Sequence, residues 1–135
     1  LPATSSSWSS TGSTLAVSFG RFDHIGWCNC RRGAVCLWNV FRRRSKASSH
    51  ADGSSGGGAS SCTMSVCFHP EHPAIVAAGT FGGQVVVWNT SKTDDPVIGT
   101  TQVSEYGHRE PVVGVSWVYD YGRREHLLTS ISGDG

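Results

Sequence analysis

The chain has 135 residues and no long apolar run; nothing in it approaches the roughly 20 residues that a helix needs to cross a bilayer. It has no excess of charge either. Eleven Lys and Arg stand against ten Asp and Glu, a formal +1, so the footprint that would draw nucleic acid or an anionic membrane is missing. No secretory signal opens it. Methionine occurs once, and no stretch carries the apolar period of a convincing helix. Cysteine is present but odd in number, at Cys28, Cys30, Cys36, Cys62 and Cys67. An odd count without a secretory signal argues for reduced thiols and a cytoplasmic location. The length suits one domain and excludes two. The first residue is Leu1 and the last four are Ser-Gly-Asp-Gly, so both ends are expected to be cut edges of a longer polypeptide.

Glycine is plentiful, at 17 residues, which fits many short strands joined by tight turns. Seven residues recur fifty positions apart, Gly33-Ala-Val-Cys-Leu-Trp38-Asn39 and Gly83-Gln-Val-Val-Val-Trp88-Asn89. A turn glycine, a short apolar run and a Trp-Asn ending, used twice, indicate one structural unit repeated. Three units can be superposed. The first runs from Ser5 and Trp8 through a turn at Gly12 and the stretch Leu15 to Phe19, and ends in the strand that closes at Asn39. The second runs from Met64 to Phe68, turns through His69-Pro-Glu-His-Pro73, continues from Ala74 to Gly79 and ends at Trp88-Asn89. The third has Val112 to Trp117 and His126 to Ile131, then stops at Gly133-Asp134-Gly135. Gly82-Gly83 and Asp134-Gly135 accept the positive φ of hairpin turns. Pro70 and Pro73 fall between runs, where a missing amide donor costs no ladder bond. The expectation is an all-β chain.

Repeated four-stranded units with a Trp closing the third strand, and with Gly107-His108 ahead of the third unit, resemble WD-repeat β-propellers. Trp38-Asn39 and Trp88-Asn89 stand where that family has Trp-Asp. The resemblance implies a partial propeller of about two and a half blades. Residues 1–41 form a first blade with an insertion at 21–32. Residues 42–61 form a flexible Arg/Ser/Gly-rich loop, and 62–107 a second blade with its connector, including an outer strand near Val97-Ile98. Residues 108–135 are the first half of a third blade. The structural repeat positions are Trp8, Trp38, Asn39, Phe68, Gly83, Trp88, Asn89, Gly107, His108, Trp117 and Asp134. Trp8, Phe68 and Trp117 are equivalent and expected in the core between blades. Such a piece alone would leave blade faces and a strand edge open.

A narrower match lies in Phe19-Gly-Arg-Phe-Asp-His24 with Trp27 and Val35-Cys-Leu-Trp38-Asn39. Cys67-Phe-His-Pro70, Ala78-Gly79, Gly83 to Trp88 and Asp94-Asp-Pro96 extend it. These stretches look like the propeller of dynein intermediate chains, most like the smaller intermediate chains of cytoplasmic dynein-2, the retrograde motor of intraflagellar transport. Axonemal dynein intermediate chains share the Gly-Arg-x-Asp and Asp-Pro features, and a generic WD-repeat adaptor is the other alternative. The resemblance implies a non-catalytic scaffold that binds the dynein heavy chain and works in cilium assembly. It also implies a second intermediate chain as partner, and light chains bound through an N-terminal region absent here. The implied location is the cytoplasm and cytoskeleton, with the cilium, axoneme and basal body.

Catalysis and metal binding find little support in the residues. Gly12-Ser-Thr and Ser130-Ile-Ser-Gly offer hydroxyls but no nucleophile elbow. Asp94 and Asp95 suit a turn, and Gly56-Gly-Gly58 lacks the Lys-Ser/Thr of a phosphate loop. Cys28-Asn-Cys30 with His24, Cys36, His69 and His72 has the wrong spacing for zinc, so no cofactor or metal is expected. Arg42-Arg-Arg-Ser45-Lys46 suits either a solvated loop or a phosphorylated serine beside arginines, and it lacks the interleaved aromatics of a nucleic-acid platform. Arg21, Phe22, Asp23, His24 and Trp27 combine Arg with aromatics, as binding hot spots do. They are expected to help dock the heavy chain or to pack on their own blade.

Overall fold

The computed structural model describes residues 2–21, 34–42, 48–49, 61–101 and 107–135, and every regular element among them is a strand. The first sheet holds β1 (Ala3–Trp8), β2 (Thr14–Phe19), β3 (Ala34–Asn39) and β4 (Ser48–Ser49) in that spatial order. The second holds β5 (Thr63–Phe68), β6 (Ile75–Thr80), β7 (Val85–Asn89) and β8 (Val97–Thr100), again in chain order. The third is the hairpin β9 (Val112–Asp120) and β10 (Glu125–Ser132). All pairs are antiparallel. The sheets stay separate and stack, with β1 beside β5 and β5 beside β9. This is an all-β partial propeller.

The registers repeat as closely as the sequences do. Phe68 lies opposite Val76 and Val76 opposite Trp88. In the first sheet Trp8 lies opposite Leu15 and Leu15 opposite Trp38. In the third sheet Trp117 lies opposite Leu128. The first strand of each sheet also shifts register near its start, between Ala3 and Ser5, between Thr63 and Ser65, and at Ser132 opposite Val112. Trp8, Phe68 and Trp117 therefore share one register position.

Their burial follows from which neighbour each sheet has. The core cluster joins Ala16, Val35 and Leu37 of the first sheet to Val66, Phe68, Val76, Ala78, Val86 and Trp88 of the second. Phe68 is 4% exposed and Trp88 fully buried. Trp117 is half-buried in a two-stranded sheet. Trp8 corrects the expectation of a common core, because it is 55% exposed. It lies on the face of the first sheet turned away from the second, and no further sheet covers that face among the described residues. Being covered on both sides, β5 and β6 are buried along almost their whole length. β2 and β3, covered on one side, alternate. Val85-Val86-Val87 can therefore be apolar throughout without a period of two.

The inner strands approach closely because small hydroxyl residues line them. Ser5 and Ser7 of β1 accept hydrogen bonds from the backbone N–H of Val66 (3.4 Å) and Phe68 (3.0 Å). Thr4 donates to the Thr63 carbonyl at 2.9 Å, and Thr63 Oγ1 lies 3.0 Å from the carbonyls of Phe19 and Ala34. On the other face Ser65 donates to the Val112 carbonyl at 3.2 Å. A Cβ on Gly79 would come within 2.5 Å of Val112 Cγ1, so glycine sets that spacing.

The stretch 42–61, expected as a loop, is corrected in one respect. Ser48 and Ser49 pair with Leu37 and Cys36 and complete the first sheet. Gly33, Gly56 to Gly58 and Ser45 lie outside the described residues.

Trp88→Ala is expected to destabilise the full-length protein by about 3–5 kcal/mol, the range for emptying a large aromatic from a core. Urea denaturation measures it, and a loss under about 1 kcal/mol would contradict a Trp88 closed between two sheets.

Candidate functional site

A connected polar cluster sits where the chain enters the third sheet. His108 Nδ1 is 2.9 Å from Asp134 Oδ1, and its Nε2 is 2.9 Å from Ser130 Oγ. The Arg109 N–H donates to Asp134 Oδ2 at 2.6 Å, and the Ser132 hydroxyl donates to Oδ1 at 2.6 Å. These donors, the Ser132 hydroxyl first, then the Arg109 N–H and His108, hold the Asp134 carboxyl well below the ordinary carboxylate value of 3.8. With Asp134 accepting at Nδ1, a neutral His108 has Nε2 as the acceptor for Ser130.

Ser130, His108 and Asp134 are linked in the order of a nucleophilic triad, but the surroundings suit a clamp. Ser130 lies mid-strand, opposite Val115, and not on a strand-to-helix elbow. Both oxygens of Asp134 are engaged at the hairpin end. The cluster ties residues 108–109 to the far end of β10, so it fixes how the third sheet is entered. By register, the second sheet has Ala78 in place of Ser130 and Gly82 in place of Asp134. There the turn is fitted differently. Gly83 has φ +84°, and a Cβ on it would fall 2.2 Å from the His108 carbonyl oxygen. The turn of one sheet thus rests directly on the lead-in to the next, and glycine alone fits both the backbone and the space. Gly135 takes the equivalent place with φ +104°.

The two asparagines close their strands through their side chains. Asn39 Oδ1 accepts the Phe41 N–H at 3.0 Å, and Asn89 Oδ1 accepts the Ser91 N–H at 3.0 Å. A carboxylate would accept the same bonds, so Asn replaces Asp here without loss of the turn. Trp38 is half-buried, with the Phe19 ring edge-on at 6.1 Å. Gly107 directly precedes the clamp.

Of the residues expected at a docking segment, Arg21 is described and exposed, just past β2. Phe22, Asp23, His24 and Trp27 lie outside the described residues, as do Cys28 and Cys30. Among the described residues no group of three His, Cys, Asp or Glu is arranged to hold a metal. Ser130 and Ser132 are the members of the clamp that the sequence reading missed. The signal was available as a His-Ser-Ser-Asp set spread over the third unit, but it occurs in only one unit and so was hidden from comparison between repeats.

No protein-family model matches the chain. It is 36% identical over 110 residues to human cytoplasmic dynein 2 intermediate chain 2, a match covering 82% of this chain and 20% of that protein. The mouse protein of the same name is 35% identical over the same shares. The chain thus spans about a fifth of the length of the curated relatives it matches. Among solved structures, Sqt1 of Saccharomyces cerevisiae superposes with a TM-score of 0.60 at 14% identity, over 96% of this chain and 28% of that one. That likeness speaks for the fold alone. The sequence matches identify the chain as a segment related to the dynein-2 intermediate chains.

Asp134→Asn is expected to speed amide exchange at Arg109 at neutral pH. In the unchanged protein the same loosening should develop as pH falls below 3.8, because a carboxyl held low in the folded state stabilises above its unfolded value and is lost below it. Equal protection of Arg109 in variant and parent would contradict the clamp.

Proposed function

We propose that this chain, as kin of the cytoplasmic dynein-2 intermediate chains, is part of the propeller of a non-catalytic dynein subunit that binds the dynein heavy chain. The observation that carries this reading is the 36% identity over 110 residues. The architecture supports it, because stacked sheets pinned by backbone-to-serine bonds make a rigid body suited to holding a partner in fixed orientation. In this reading the subunit supports retrograde intraflagellar transport and cilium assembly. It resides in the cytoplasm and at the cilium, axoneme and basal body. A second intermediate chain and light chains, the latter bound through an N-terminal region, complete the assembly. Linking several partners on one subunit raises the effective concentration of each beside the others.

The segment beginning at Arg21 is the proposed heavy-chain contact. Its composition, Arg21, Phe22, Asp23, His24 and Trp27, carries that assignment, since Arg and large aromatics dominate interface energetics. Affinity capture of the full-length protein from ciliated cells tests both statements. A dynein heavy chain is expected in the capture, and its absence would overturn the dynein assignment. The double variant Phe22→Ala with Trp27→Ala is expected to lower heavy-chain recovery by about tenfold or more. Recovery equal to the parent's would move the contact elsewhere while leaving the subunit assignment standing.

A further inference from the structure

The turn between β5 and β6 brings three imidazoles together at the contact with the third sheet. His69, 7% exposed, has its ring centroid 4.7 Å from His72, 4.9 Å from His126 and 4.6 Å from the Trp117 ring. His69 and His72 belong to the second sheet's turn, whereas Trp117 and His126 belong to β9 and β10. The ring stack continues through Tyr119, 5.0 Å from His126, to Tyr121, 5.0 Å further on. The groups that titrate around His69 are thus His72 and Glu71 on its own turn, His126 on β10, and Tyr119 on β9 beyond His126. Glu71 reaches His126, with Oε2 3.8 Å from Nδ1.

The tautomer of the neutral His69 ring is fixed by its hydrogen bonds. Its Nδ1 accepts two backbone N–H groups, those of Glu71 and His72, each at 3.1 Å. A nitrogen that accepts two donors carries no proton, so the neutral ring has its hydrogen on Nε2. Adding a second proton must place it on Nδ1, where it faces two N–H groups and removes the acceptor that folds the turn.

We propose that His69 is a pH-sensitive latch between the second and third sheets, closed while neutral and released by protonation in mildly acidic solution. In the closed state its ring is the surface on which Trp117 and His126 pack. On protonation the 69–74 turn loses both side-chain bonds, and the new charge lies against two other imidazoles with Glu71 as the sole carboxylate among these groups. The hairpin β9–β10 then loosens from the second sheet. Burial foremost, then His72 and His126, push the His69 imidazole below its ordinary 6.5, and Glu71 partly offsets them. In this direction the folded state binds fewer protons than the unfolded one. The latch is therefore complete above 6.5 and weakens as pH falls below it.

Hydrogen exchange of the full-length protein, corrected for the intrinsic pH dependence of amide exchange, tests this. Peptides covering residues 69–76 and 117–128 are expected to open about tenfold more at about pH 5 than at about pH 7.5, while those over β7 change little. His69→Asn keeps a side-chain acceptor for the two N–H groups and does not titrate, so its ratio between the two conditions should fall below about twofold. No acid-dependent opening in the parent, or the full tenfold persisting in His69→Asn, would overturn the latch. Should His69→Asn fail to fold, His126→Gln serves instead. Removing a neighbouring positive charge is expected to move the opening midpoint to higher pH, and an unmoved midpoint would equally overturn the proposal.

Discussion

The apolar seam between the first two sheets governs the arrangement of the described residues. A four-stranded sheet with apolar side chains on both faces has no stable solution alone, and burying each large side chain is worth about 1.5–3 kcal/mol. Here Ala16, Val35 and Leu37 close one side of the seam while Phe68, Val76, Val86 and Trp88 close the other. The seam holds at close range only because its inner strands meet through Ser5, Ser7 and Thr63, whose hydroxyls engage backbone groups across the gap. Apolar burial supplies the drive, and the small polar residues set the distance. Larger side chains at those serines would separate the inner strands and leave the N–H groups of Val66 and Phe68 without partners, a cost of the kind that buried donors impose.

The same unit is fitted in three ways according to its neighbours. The first two strands of the second sheet, β5 and β6, covered on both faces, are buried almost throughout. The first sheet shows Trp8 on its uncovered face, and the third offers Val118, Leu127 and Ile131, each more than a third exposed. Turn chemistry differs as well. Gly83 lets the second sheet press its turn against the His108 carbonyl, whereas in the third sheet Asp134, standing where the second has Gly82, gathers His108, Arg109 and Ser132. Both devices act on the same short stretch of backbone, residues 108–109. The path into the third sheet is thereby held from two directions, by its own hairpin end and by its neighbour's turn.

Much of this was legible because the repeat is written in local chemistry. The Gly-to-Trp-Asn stretch at 83–89 and the hairpin at Gly82-Gly83 each rest on residues close in sequence, and Trp8, Phe68 and Trp117 align because the registers repeat as the sequences do. Three features were not legible. The exposure of Trp8 depends on which sheet lies beside it, and a repeat pattern is silent about that. The pairing of Ser48 and Ser49 with β3 is backbone-driven and leaves no side-chain signature. The histidine cluster joins His69 to His126, residues far apart in sequence that meet only when two sheets stack. His69 does serve its turn, since Nδ1 binds the turn backbone; its second role comes from tertiary packing.

Whether these strands form separate wedges is best decided by an electron density map of the full-length protein. Separate wedges place β1 to β4 and β5 to β8 in two distinct sheets, with β1, β5 and β9 as neighbouring inner strands and Trp88 enclosed between the first two sheets. A map in which β3 and β7 share one continuous sheet, or in which Trp88 faces solvent, would contradict that arrangement.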